Sequence, residues 1–274
     1  MLKIGMITCN YCMGIYDFQM PQAFDWGKME EKHRRDFDGG AFTALARGIG
    51  DMGYRHLEVW EPHFSHMAHT TGEAAAMSEM LHAMGFQSIA YCIGGWRSGQ
   101  EGQVEPAFRF AHALGADTMT GCIPPDGSDA LLAEIERCGK KLGMRFALEN
   151  HPAPNLENPL DILNVVGRYE TIGANMDVGI LHETGYDVLE AASLLRNKIH
   201  HVHLKDTVKG GAWPIGGCRP IGEGEVPIAA FLGCLHEWDY PHMVSVEFES
   251  AGNPTAGLIS SLAYTQKLCL GMQD

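Results

Sequence analysis

One punctuation mark recurs through the first half of this chain: Met52-Gly53, Met84-Gly85, Leu114-Gly115 and Leu142-Gly143, at spacings of 32, 30 and 28 residues. At each, a stretch with helical spacing of apolar residues ends and a short β-like run begins. Glycine reaches the left-handed conformation that terminates many helices, so the repeat reads as an αβ junction. The β-like runs are Lys3 to Thr8, His56 to Trp60, Ser88 to Ile93 and Thr118 to Gly121. The second half continues with Phe146 to Glu149, Gly173 to Asp177, Ile199 to His203 and Met243 to Glu247, and with helices near Pro159 to Val166, Val188 to Leu195, Ile228 to Glu237 and Pro254 to Leu270. Eight alternating units predict a parallel sheet closed into a single α/β domain, a (β/α)8 TIM barrel spanning residues 1–274. Two connections, at about 9–38 and 207–227, are too long for simple turns and leave strand carboxyl ends, where barrel enzymes place their sites. They are expected to lie over the active-site face, the aromatic first one as a lid or as a packing or subunit contact.

Composition narrows the function. With 274 residues and 45% hydrophobic content the chain can bury one large core. A formal net charge of -14, with no run of Lys or Arg, repels phosphodiester backbones and speaks against nucleic acid as a partner. No stretch reaches the ~18 uninterrupted apolar residues of a membrane span. The apolar start after Lys3 is broken at Asn10 before a signal-peptide core forms, and the eight cysteines are scattered, so the reading is a cytoplasmic protein with reduced thiols. Cys9 and Cys12 form a lone CxxC without a second pair, which reads as packing at a strand end before it reads as zinc or redox chemistry.

Four of the later apolar runs end on metal-ligand residue types: FALE at Glu149, GANMD at Asp177, HVH at His203 and VSVE at Glu247. Residues at the carboxyl ends of consecutive parallel strands converge where a barrel closes. Singly, each such residue is as well explained as a helix cap or a satisfied core histidine; together they predict one metal site. Three carboxylates and an imidazole suit Mn²⁺ or Mg²⁺, and also Co²⁺ or Zn²⁺, better than they suit a thiolate-loving metal. His201, two residues before His203 on the same strand face, is assigned one layer deeper, orienting a ligand. Glu58 and Trp60, ending the second strand, are expected on the outer wall of the site, toward substrate. A second metal held by His63, His66 and His69 is weighed against a loop of exposed histidines, and Trp26, Trp60 and Trp96 are candidates for stacking on the apolar face of a ligand.

The motifs ALENH (Ala147 to His151), NMDVG (Asn175 to Gly179), HVHLKD (His201 to Asp206), PIGEGEV (Pro220 to Val226) and VSVEFE (Val244 to Glu249) resemble the xylose-isomerase-like barrel superfamily. Within it the likeness is to sugar isomerases, ketose 3-epimerases, hydroxypyruvate isomerases and inosose dehydratases. The resemblance implies one divalent ion on Glu149, Asp177, His203 and Glu247, with Glu149 and Glu247 as the facing acid–base pair. It implies proton abstraction next to the carbonyl of a small sugar or keto-polyol through a metal-stabilised enediolate; a dehydratase using the same site is the alternative, and a DNA-repair endonuclease a more distant one. A homo-oligomer, dimer or tetramer, is the family's habit. Many relatives carry a histidine three positions beyond the aspartate ligand; here that position is Ile180, and His182 is the candidate to take over its substrate contact. Lys205 and Arg219 are candidate cations for a substrate hydroxyl, carboxylate or phosphate, or else ion-pair partners of Asp206 or Glu223. The glycines from Gly210 to Gly224 are candidates for a phosphate loop.

Overall fold

In the computed structural model, which describes residues 1–124, 129–210 and 217–272, eight parallel strands close on themselves. They are Lys3–Ile7, His56–Trp60, Ser88–Cys92, Ala116–Gly121, Arg145–Glu149, Ile172–Asp177, Ile199–Leu204 and Met243–Val246. Each pairs with its sequence neighbours, and the first also pairs with the eighth, Lys3 opposite Met243 through Met6 opposite Val246, which seals the barrel. The observed strands differ from the sequence expectation by one or two residues at their ends. The helices Pro159–Val166, Val188–Leu195 and Ile228–Glu237 fall where expected, and the last runs Thr255–Gly271. Gly53, Gly85, Gly115 and Gly143 all have positive φ, between 67° and 104°, as helix-terminating junctions require.

The main apolar core lies between strands and helices, with Leu57, Val59, Ile89, Phe146, Met176, Val202 and Val244 from the sheet meeting Phe42, Leu81, Phe108, Ile135, Ile162 and Leu232 from the helices. Trp96 belongs to it, stacked near Phe108 and Phe146, so it is core and not sugar platform. The barrel interior is polar toward its carboxyl end. Glu58 on the second strand lies 2.9 Å from His201 on the seventh; those strands are not neighbours, so the contact spans the interior.

The connection after the first strand holds more structure than a loop. A run of 3-10 turns, Thr8–Tyr16, is followed by a helix, Trp26–Asp36, capped by the Asp25 side chain. That helix buries only Met29 and His33, too narrow a stripe for its periodicity to show in the sequence. Cys9 and Cys12 pack beside it with Ile7, Met13, Met29, Trp60 and Cys92. The connection after the seventh strand begins with a short antiparallel pair, Asp206–Thr207 against Cys218–Arg219; residues 211–216 of the expected glycine loop lie outside the described residues. Among the described residues, no helix is long and apolar enough to cross a membrane.

Two asparagines stitch strands together beyond the last backbone rung. The Asn10 amide donates to the Val246 carbonyl at 3.0 Å, and its oxygen accepts from the Phe248 N–H at 2.6 Å, joining the ends of the first and eighth strands. Asn150 does the same for the fifth and sixth, donating to the Asp177 carbonyl at 3.0 Å and accepting from the Asp177 N–H at 2.9 Å. Removing Asn10 leaves a buried carbonyl and a partly buried N–H without partners, at about 1–3 kcal/mol each. Asn10→Ala is therefore expected to lower unfolding free energy by about 2–4 kcal/mol in urea denaturation.

Candidate active site

Strands five to eight deliver Glu149, Asp177, His203 and Glu247 to one place. All four are buried, and one ligand atom from each lies within 4.8 Å of the others. His203 is the hub. Its Nδ1 lies 2.9 Å from Glu247 Oε2 and 3.4 Å from Glu149 Oε1, and its Nε2 lies 3.2 Å from both oxygens of Glu58. A ring whose Nε2 donates to Glu58 turns the Nδ1 lone pair toward the other carboxylates. Burial opposes a charge on this ring, but Glu58, Glu247 and Glu149 outweigh it and raise its pKa well above the usual histidine value.

Glu58 is a correction to the sequence reading. It was expected toward substrate; it is fully buried beneath the site, its oxygens taken up by Thr120 Oγ1 at 2.6 Å, His201 Nε2 at 2.9 Å and His203. Burial would keep its proton on, yet the two imidazoles hold its carboxyl well below the usual range. His201, which also lies 3.0 Å from Ser245 Oγ, sits in the deeper layer as expected, though it orients Glu58 and not a ligand directly.

Asp177 is set by backbone geometry. It ends the sixth strand and caps the short helix Val178–Glu183, its Oδ1 accepting from the Ile180 N–H at 2.9 Å. Asn150 holds its main chain on the other side, so only Oδ2 remains to face the cluster. Lys205 lies against it. The Lys205 ammonium is 3.1 Å from Asp177 Oδ2, 3.2 Å from Glu247 Oε1 and 3.1 Å from Glu249 Oε2. Burial would discharge it, but those carboxylates keep its pKa well above the usual lysine value. Neither Asp206 nor Glu223 is its partner, contrary to the ion-pair alternative. Burial likewise favours a protonated Glu247, but Lys205 and His203 offset this and hold the carboxyl at about 2.

Above the cluster opens a cavity of about 300 Å³ lined by Glu149, His203, Lys205, Glu247, Glu249, His151 and Asn155 on one side. Ile7, Trp26, Trp60, Ile93 and Ile180 form an apolar wall, with thiols from Cys9, Cys92 and Cys122 and the carboxylate of Glu30 completing it. Trp26 and Trp60 thus both line the cavity. The structure does not bring the remaining expected residues to this wall. His182 is turned to Thr207, its Nδ1 3.3 Å from the hydroxyl, so it does not replace the histidine missing at Ile180. Arg219 sits on the short strand pair, its guanidinium donating to the Cys218 carbonyl at 2.8 Å. His63, His66 and His69 form no common site: His63 is buried among His33, Phe37 and Trp60, His66 lies by Glu61 and Tyr91, and His69 by Glu73.

Sequence reasoning missed Glu249, Asn150, Cys122 and Glu30. Glu249 was legible, since it stands two residues after Glu247 and shares its face. Cys122, whose thiol reaches Glu149 Oε2 at 3.8 Å, and Glu30, on the unforeseen helix, carried no local signal.

The cluster suits a divalent ion. Asp177 Oδ2, Glu247 Oε2 and His203 Nδ1 are buried without a hydrogen-bond partner, their ion-pair contacts falling outside hydrogen-bond geometry. Buried polar atoms are seldom left so, and three oxygen ligands with one nitrogen match Mn²⁺, Mg²⁺, Co²⁺ or Zn²⁺.

A family model described as xylose isomerase-like TIM barrel matches residues 46–268. Among curated proteins no sequence matches this chain. Similar solved structures include D-allulose 3-epimerase from Methylomonas sp., with 12% identity, TM-score 0.72 and coverage of 97% of this chain and 98% of that one. A D-tagatose 3-epimerase-like protein has 17% identity, TM-score 0.70 and coverage of 99% and 98%. The probable 3-DHS dehydratase AsbF from Bacillus anthracis has 15% identity, TM-score 0.69 and coverage of 97% and 99%.

Two outcomes are expected. Glu58→Gln removes the negative charge and replaces one of the two oxygens facing His203 Nε2 by a donor, so it loosens the hold on the His203 tautomer and is expected to weaken Mn²⁺ affinity roughly 10- to 100-fold by calorimetry, with the fold intact by circular dichroism. Because the charged His203 must lose its Nδ1 proton to become a ligand, Mn²⁺ uptake releases a proton, and affinity falls as pH drops below that group's raised pKa. Titration in buffers of different ionisation enthalpy reads the release directly.

Proposed function

The chain belongs to the xylose isomerase-like TIM-barrel family, and from that premise we propose that it is a divalent-metal-dependent isomerase or epimerase of a small sugar or keto-polyol. The observation that carries this is the convergence of Glu149 and Glu247 on His203 Nδ1, at 3.4 and 2.9 Å, at the floor of a cavity of small-molecule size. Epimerases among the similar structures support the same reading.

In this proposal Glu149, Asp177, His203 and Glu247 hold the ion, Mn²⁺ first. Bound there, it would supply Lewis-acid stabilisation of negative charge on a substrate carbonyl oxygen. The chain's own groups do the rest. Trp26 and Trp60 offer flat apolar faces to the C–H side of a sugar, while Glu249, Asn155 and His151 present polar atoms to its hydroxyls. Glu149, which accepts a hydrogen bond from the Cys122 thiol and lies 3.4 Å from His203 Nδ1, takes the proton from the carbon beside the carbonyl. Glu247, held by Lys205 through Oε1, stands across from it to return a proton on the other face. Ile7, Ile93 and Ile180 keep bulk water from the carbanionic carbon. One domain over residues 1–274, a cytoplasmic location and a homo-oligomeric state belong to the same proposal.

A second reading has support in the AsbF likeness: the same proton abstraction followed by loss of a β-hydroxyl gives a dehydratase. Incubation of the Mn²⁺-loaded protein in D₂O with a panel of ketoses and keto-polyols separates them. Isomer or epimer carrying solvent deuterium is the expected product; loss of water with no isomer formed would replace the isomerase reading by the lyase one. Glu149→Gln and Glu247→Gln are each expected to cut deuterium incorporation by roughly 10²- to 10⁴-fold, the range for a positioned proton-transfer group.

A further inference from the structure

We infer that the compound this cavity accepts is electrically neutral, a polyhydroxylated keto compound carrying neither phosphate nor carboxylate, and that Glu30 enforces the choice. The inference rests on the cavity being the substrate site of the proposed enzyme, and it names a class that the chemistry of proton abstraction leaves open.

The charges of the wall are one-sided. Glu30, Glu149, Glu247 and Glu249 line the cavity and Asp177 lies at its floor, against the single ammonium of Lys205. With a divalent ion in place the site runs from two negative charges, when every carboxylate is ionised, to none, when Glu30 and Glu249, whose carboxyls burial raises, both hold a proton; it does not become positive. Lys205 is not a spare anion receptor, since three carboxylates surround its ammonium at 3.1 to 3.2 Å. The guanidinium nearest Glu30, that of Arg34, is turned to Glu61 Oε2 at 2.7 Å and to Glu30 itself at 3.4 Å, and it does not line the cavity. Nor does Arg219 line it. The segments at 125–128 and 211–216, outside the described residues, contain no Lys or Arg.

A second observation is independent of this count. Barrel enzymes that bind phosphate do so with main-chain N–H groups of the loops after the late strands, often glycine-rich. The glycine segment after the seventh strand of this chain does gather such groups, but around its own carboxylate. Asp206 Oδ2 accepts from the Gly222 N–H at 2.8 Å and the Gly224 N–H at 3.0 Å, and Oδ1 from the Val226 N–H at 3.1 Å. Asp206 is 1% exposed, so the internal anion closes the nest that a phosphate would have used. This also corrects the expectation of a phosphate loop for the Gly222 to Gly224 part of that segment.

Glu30 is placed to act on the far end of a ligand. It stands one turn along from Trp26 on the helix over the cavity, and its Oε1 lies 3.5 Å from the position a Cβ would take on Gly94, just past the third strand. It thus faces the cavity from the side opposite the strands that carry the cluster. There a carboxylate accepts hydrogen bonds from substrate hydroxyls and repels an anionic terminus.

The test is calorimetric binding to the Mn²⁺-loaded full chain of matched probes, D-tagatose with D-tagatose 6-phosphate and D-fructose with D-fructose 6-phosphate, for wild type, Glu30→Gln and Glu30→Lys. In wild type a neutral ketose is expected to bind at least tenfold tighter than its phosphate ester. Glu30→Gln should narrow that ratio and Glu30→Lys invert it, with metal content unchanged. Esters that bind wild type as tightly as the free ketoses, failure of every neutral probe to bind, or a ratio indifferent to residue 30 would each overturn the inference. Binding is read apart from turnover: discrimination without deuterium exchange would leave it standing and remove the isomerase reading alone.

Discussion

A buried imidazole held between carboxylates organises this molecule. His203 meets Glu58 on one nitrogen and Glu149 and Glu247 on the other, and every neighbouring choice follows from that arrangement. Glu58 can stay ionised in a fully buried place only because His201, His203 and Thr120 surround it. An uncompensated buried charge costs several kcal/mol, of the order of the whole stability of a domain, so the layer beneath the site must be complete for the layer above it to exist. The barrel interior is therefore a vertical stack of alternating charge: a carboxylate, an imidazole, a carboxylate trio, then the cavity.

Lys205 is the counterpart of that stack on its far side. It draws Asp177, Glu247 and Glu249 together, and neither Asp177 Oδ2, which faces it, nor Glu247 Oε2, which does not, makes a hydrogen bond. Like charges are crowded there at low dielectric, offset by the Lys205 ammonium and the protonated His203 ring. Preorganisation of this kind is what a metal centre needs: the ligands stand in place before the ion does.

The fold was legible because its signals are local and repeated. The glycine after each of four helices, the eightfold alternation of runs and the residue closing each of the four late strands are all properties of a few consecutive residues. The convergence of Glu149, Asp177, His203 and Glu247 was legible for the same reason, since a strand end fixes where a side chain points. What escaped depends on distance in sequence. Glu58 reads as a substrate contact until the closed sheet brings the seventh strand across from it. The helix Trp26–Asp36 shows no apolar stripe because its outer face is solvated and its inner face meets the barrel through two side chains. His182 and Arg219 were named by offset from a motif, and an offset says nothing of which way a loop residue turns. Lys205 was placed correctly in the site but with the wrong partners, because Asp206, its neighbour in sequence, points into the glycine segment.

The two asparagine stitches have a consequence for the mouth of the barrel. Parallel strands that continue in register keep their main chains about 5 Å apart, a spacing that leaves no room for a cavity, while strands that diverge strand their hydrogen-bonding groups. Asn10 and Asn150 resolve the conflict by supplying a rung made of side chain, longer than a backbone rung, at two of the eight seams. The barrel can flare at those seams without exposing an unsatisfied amide. Its opening is in that sense hinged on two carboxamides, one three residues past the end of the first strand and the other one residue past the end of the fifth.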